Sequence, residues 1–91
     1  MTKEVYYVIK VMVHVDGELK QMFFNLETEN LSYNWMEACT QDYTQDELSF
    51  VVTAFSLNWV TKLIKQWGSL FPDLSFNDWS VMKVQVEFQA L

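Results

Sequence analysis

VYYVIKVMVHVDGELKQMFFNLE, residues 5–27, is the stretch on which the fold turns. Val5, Tyr7, Ile9, Val11, Val13 and Val15 take every second position, with Lys10 and His14 between them. Successive side chains of a strand point to opposite faces, so this period of two marks a strand with one buried face. Asp16-Gly17 breaks the run, and the return stretch carries Met22, Phe24 and Leu26. Asp-Gly accepts the positive φ values of a two-residue type I′ turn, which sets a hairpin and its register. Val13 is then paired with Lys20, Val11 with Met22, Ile9 with Phe24 and Tyr7 with Leu26. A slip of one residue would bring Gln21 and Asn25 onto the apolar face, so turn and pattern agree.

Working outward, Glu27-Thr28-Glu29-Asn30 reads as a connector, and Asn30 or Ser32 can cap a helix through a side-chain oxygen. Leu31, Trp35, Ala38 and Cys39 share one helical face, which predicts a short helix to about Tyr43. Residues 44–67 admit two readings. Thr44 and Glu47 have capping-box spacing, and Leu48, Val52, Phe55, Trp59 and Leu63 would form one stripe of a long helix. The β-branched and aromatic run Phe50-Val51-Val52-Thr53-Ala54-Phe55 instead favours a strand at about 48–55, with a helix at about 57–67 ended by Gly68. The second reading is preferred here. Residues 69–78 read as an apolar loop packed on an edge of the core. Met82, Val84, Val86 and Phe88, alternating with Lys83, Gln85, Glu87 and Gln89, predict a last half-buried strand.

The expected order is strand, strand, helix, strand, helix, strand in one domain spanning 1–91. Its simplest packing is a two-layer α+β fold: a four-stranded mixed sheet with both helices on its apolar face. Of the 91 residues, 51% are hydrophobic and 16% aromatic, which excludes disorder. No apolar run has the length of a membrane span, and the start of the chain lacks a signal-peptide region. Cys39 is the lone cysteine, so no internal disulfide can form and a cytoplasmic setting is expected.

Catalytic chemistry lacks its parts. His14, the only histidine, falls near the turn on the face expected to be wet, and nothing in the sequence pairs it with Cys39. One cysteine and one histidine cannot complete a zinc site, and Gly17 and Gly68 alone cannot build a phosphate loop. Glu27/Glu29 and Asp46/Glu47 lack the ligand spacing of a calcium loop. No catalytic residue, metal site or cofactor is expected. Trp35 and Trp67 read as core, and Trp79 as partly exposed.

Charge is the informative feature. The net charge is −6, with no arginine, so direct binding to nucleic acid is not expected. Residues 1–20 and 62–91 each balance three lysines with three acids. The whole excess therefore lies in Glu27, Glu29, Glu37, Asp42, Asp46 and Glu47. Such a patch attracts a basic surface and accelerates encounter with it; the plain alternative is a solvated face that keeps the domain soluble. The wet face of the hairpin also carries Tyr6, Val8, Met12, Leu19 and Phe23, more apolar surface than a small monomer leaves in water. A homodimer through Tyr6, Met12, Leu19, Phe23 and Trp79 is the expectation that follows.

In its small size, its acidity, its aromatic-rich α+β pattern and its want of catalytic groups, the chain resembles small phage-encoded inhibitors of host defence. Among them it is similar to the anti-restriction nuclease (Arn) family of T-even phages. The likeness is one of overall character and carries over no residue. It implies a DNA mimic: a non-enzymatic inhibitor whose carboxylates stand where a host restriction or CRISPR nuclease expects phosphates. The alternative reading is a structural or assembly protein that binds through an aromatic-apolar sheet surface.

Overall fold

The computed structural model describes residues 2–38 and 43–88. Strands β1 (Thr2–Val15) and β2 (Glu18–Asn25) form the hairpin, with Ile9 opposite Phe24, Val11 opposite Met22 and Val13 opposite Lys20, as its sequence demands. Asp16 and Gly17 hold φ values of 52° and 75°, the two left-handed residues of a type I′ turn. A short β3 (Asn30–Ser32) adds to β2, and β4 (Ser75–Phe88) lies along β1. The sheet order is β3-β2-β1-β4, and every neighbouring pair is antiparallel. Helix α1 spans Trp35–Ala38 and α2 spans Gln45–Trp67.

The α+β class and the counts of four strands and two helices among the described residues are as expected; the identity of the third strand and the order are not. Residues 48–55 belong to α2, a helix of 23 residues, so the order is strand, strand, strand, helix, helix, strand. The connection through α2 crosses the sheet from the β3 edge to the β4 edge, but β4 runs antiparallel to β1, so no parallel strand–helix–strand unit forms and the sheet is antiparallel, not mixed. The cap decides this. Glu47 N–H donates to Thr44 Oγ1 at 3.1 Å, and Thr44 N–H donates to Glu47 Oε1 at 3.1 Å, satisfying two of the donors that a helix start leaves open. Once the helix has started, its buried stripe is Leu48, Val52, Trp59 and Leu63, and that burial outweighs the strand preference of Val51, Val52 and Thr53. At its end Gly68 has an ordinary helical φ of −63°, and its N–H donates to the Ile64 carbonyl at 2.7 Å. Glycine is required there by closeness: a Cβ would lie 2.5 Å from that carbonyl oxygen.

The helix expected from residue 31 starts only at Trp35, because Asn30–Ser32 pairs with Phe23–Asn25 instead; its expected course through residues 39–42 lies outside the described residues. Cys39 lies outside the described residues. The loop expected at 69–78 also gives way, since β4 already starts at Ser75. Between the pairs Lys10–Ser80 and Met12–Asn77, β1 advances two residues and β4 three, a bulge at which Asp78 takes a φ of 56°. The extra residue switches parity, so Phe76 and Trp79 both face α2. Phe24 stacks on Trp59 with centroids 4.5 Å apart, and Trp79 meets Phe24 edge-on at 5.4 Å. Ile9, Phe24, Leu48, Val52, Trp59 and Leu63 form the core.

The sheet is apolar on its other face too. Register places Met82 beside Val8 and Val84 beside Tyr6, on the side away from Ile9 and Phe24. Val8 and Phe23, 1% and 7% exposed, are buried there, and Trp35 of α1 packs on Tyr6 at 5.6 Å. The two helices therefore do not share a face of the sheet: α2 covers one, while α1 begins on the other.

Candidate functional site

Asn25, the last residue of β2, is 9% exposed and joins two acid-bearing segments. Its Oδ1 accepts the N–H groups of Glu27 and Thr28 at 2.9 and 3.0 Å, an Asx turn that bends the chain out of the sheet. Its Nδ2 donates to the Glu37 carbonyl at 2.8 Å, tying α1 to that turn. The turn closes with Glu29 at a φ of 56°, its N–H donating to the Asn25 carbonyl at 2.8 Å. Leu26 lies with Tyr43, Asp46, Glu47, Phe50 and Val51 around one shallow depression, so the first turn of α2 stands beside the same end of β2.

Four of the six expected acids therefore stand around this end of β2: Glu27, Glu37, Asp46 and Glu47, all exposed. Each has a local duty or an open carboxylate. Glu37 accepts the Ser32 hydroxyl, and Glu47 closes the capping box of α2. Asp46, also in the first turn of α2, favours the positive end of the helix dipole, and Glu27 projects from the turn. Glu29 departs from the group. Lys62, distant in sequence, donates to both of its carboxylate oxygens at 3.2 and 2.9 Å, so its charge is offset on the flank of α2. Asp42 lies outside the described residues.

The expected dimer surface does not stand free. Phe23 is buried, Tyr6 carries Trp35, and the bulge turns Trp79 into the aromatic core. Met12 is half-buried, and of the five only Leu19, 62% exposed, stands out in solvent. Trp67, read as core, is 41% exposed, whereas Trp59 is buried at 4%.

Two features were missed by sequence reasoning. Asp73 clamps the hairpin turn: its carboxylate accepts the N–H of Gly17 at 2.7 Å and of Asp16 at 3.0 Å, with His14 Nδ1 at 3.4 Å. The Gly17 bond in particular holds the Asp73 carboxyl below the usual carboxylate range. The second feature is the outer side of α2, where Phe50 and Leu57 are 70% and 77% exposed and Ile64 is 43% exposed. Their spacing of seven was legible, but only to a reader who took 45–67 as one helix.

At the hairpin's turn end, a groove of about 600 Å³ opens between Val13, Met22, Leu31, Trp67, Phe71 and Phe76. Among the described residues, no three His, Cys, Asp or Glu side chains converge as metal ligands, and no helix is long and apolar enough to cross a membrane. No protein-family model, no curated protein and no solved structure matches the chain.

Proposed function

We propose that this protein is a non-enzymatic binding protein that presents its acidic end to the basic, nucleic-acid-binding surface of a partner, in the manner of a DNA mimic acting on a host restriction or CRISPR nuclease. The observation that carries the reading is the Asn25 latch: one buried side chain fixes the Glu27 turn against α1, which bears Glu37. Carboxylates held on a tied backbone lose little entropy on pairing, and their hydrated, exposed state lets them steer a basic partner in. Glu27, Glu37, Asp46 and Glu47 are the contact residues; Glu29 contributes less, since Lys62 already pairs with it.

The test uses the protein as bait in a bacterial lysate at low and high salt. Nucleases retained at low salt, released by salt and displaced by duplex DNA are the expected result. Glu27→Lys/Glu37→Lys should abolish their retention. Retention that survives both the charge reversal and high salt would sink the reading. The assembly-protein alternative is favoured by the apolar side of α2, not by the sheet surface from which it was first argued.

A further inference from the structure

The outer side of α2 is built for a second helix. Phe50, Leu57 and Ile64 stand seven residues apart, with Thr53, Val60 and Trp67 at the intervening positions, the a and d places of a heptad. The sheet packs on the opposite side of α2, through Leu48, Val52, Trp59 and Leu63. Phe50, Leu57 and Ile64 together expose on the order of 350 Å², a little under half of the roughly 800 Å² per partner of a stable interface. Thr53, Ala54, Val60 and Thr61, lying between them, bring the face toward that size.

The stripe is self-complementary. Phe50 lies seven residues before Leu57 and Ile64 seven after. A two-fold axis at Leu57 therefore sets Leu57 on its copy and Phe50 on Ile64 of the other molecule, the isologous pairing that a symmetric dimer requires. Charge selects the same direction. Asp46 stands in the first turn and Lys65 in the last, while Glu47 is engaged in the cap and Lys62 with Glu29. About that axis, Asp46 of one copy and Lys65 of the other fall within about one helical turn, roughly 4.5 Å apart along the axis. A parallel pair would set acid beside acid.

We propose that two copies of this chain associate through α2, antiparallel, with Leu57 at the two-fold axis. Sedimentation equilibrium across the micromolar range, at physiological salt, tests it. The wild type should be dimeric. Leu57→Lys, at a position already 77% exposed, should keep the fold by circular dichroism and weaken the dimer about tenfold or more. Asp46→Lys should also weaken it, and Asp46→Lys/Lys65→Asp should recover much of the loss. A wild type that stays monomeric overturns the proposal. So does a dimer that ignores Leu57→Lys, which would point to another face such as the free edge of β4, and so does a charge exchange that restores nothing.

Discussion

Replacing Asn25 with alanine removes three hydrogen bonds at once: those from the Glu27 and Thr28 N–H groups to Oδ1, and that from Nδ2 to the Glu37 carbonyl. Each such bond contributes about 1 kcal/mol net, and a buried group left without a partner costs more than the bond was worth. Glu27 and Thr28 are exposed, so water can replace part of what their N–H groups lose. The expected destabilisation is therefore about 2 kcal/mol, the lower part of the range for three bonds. With a urea dependence near 1.5 kcal/mol per molar for a domain of this size, the unfolding midpoint should fall by roughly 1.3 M. Asn25→Asp separates the two halves of the latch. It keeps an acceptor for the turn but loses the donor to Glu37, setting a carboxylate against a carbonyl. That variant should be destabilised at neutral pH and recover as the pH falls and the carboxyl regains a proton to donate. A midpoint for Asn25→Ala within about 0.3 M of wild type, too small for even one lost bond, would refute the latch. The assay also bears on function, because the substitution leaves the net charge unchanged. Under the proposed reading, partner binding drops although no carboxylate has been removed.

Trp59→Ala should cost about 3–5 kcal/mol, the largest loss of any single change considered, because it empties the centre of the Phe24–Trp59–Trp79 cluster. Thermal unfolding followed by circular dichroism reads it, and a loss below about 1 kcal/mol would mean that the cluster does not hold the core. Asp73→Asn should remove a pH-dependent component of stability. The folded carboxyl is held below its unfolded value near 3.9, so its contribution is complete above that pH and disappears as the pH falls through the lower folded value. Denaturation curves taken between neutral and strongly acid pH should therefore show wild type and Asp73→Asn differing at neutrality and converging in acid. A constant difference would detach the clamp from titration.

What could be read from the sequence follows from where local and tertiary signals agree. The hairpin was legible from the turn to Ile9–Phe24, because the Asp16-Gly17 turn and the alternation of Ile9, Val11 and Val13 impose the same register; the expected Tyr7–Leu26 pair is not made, since β2 ends at Asn25 in an Asx turn. Residues 44–67 were not. The capping box of Thr44 and Glu47 spoke for a helix and the run from Phe50 to Phe55 for a strand; a cap is a signal of two residues, while a propensity is spread over six. The structure shows why the cap prevails: read as a helix, Leu48, Val52, Trp59 and Leu63 fall on one face against Phe24, which no strand reading achieves. The β4 pattern misled in a different way. Its alternation at Met82, Val84 and Val86 is real, but it faces the second side of the sheet; the core under α2 is reached by Trp79 and Val81 of the opposite parity and by Phe76 from beyond a bulge at Asp78. A bulge leaves no alternation to read. The acidic end was legible as a charge excess and illegible as a geometry, since Lys62 reaches Glu29 only once α2 is folded, and Asn25 announces itself only as an Asx turn after a strand.

The two proposals constrain each other through α2. Its first turn carries Asp46 and Glu47 of the acidic end and its outer side the proposed seam, where Asp46 would pair with Lys65 of the other copy and leave partner contact to Glu27, Glu37 and Glu47; the copies of an antiparallel pair would carry their acidic ends at opposite tips. A helix of 23 residues spans about 34 Å, and the two ends would lie on the order of that distance apart instead of merging into one longer negative surface. Each end would then take its own basic partner. The complex would then have one partner molecule per chain, and Leu57→Lys should halve its mass without changing that ratio. Glu27→Lys/Glu37→Lys does the reverse: these residues lie off the seam, so the charge reversal should abolish partner binding and leave the dimer intact. Were it to dissociate the dimer as well, α2 could not be the seam, and the acidic end would itself be the contact between copies.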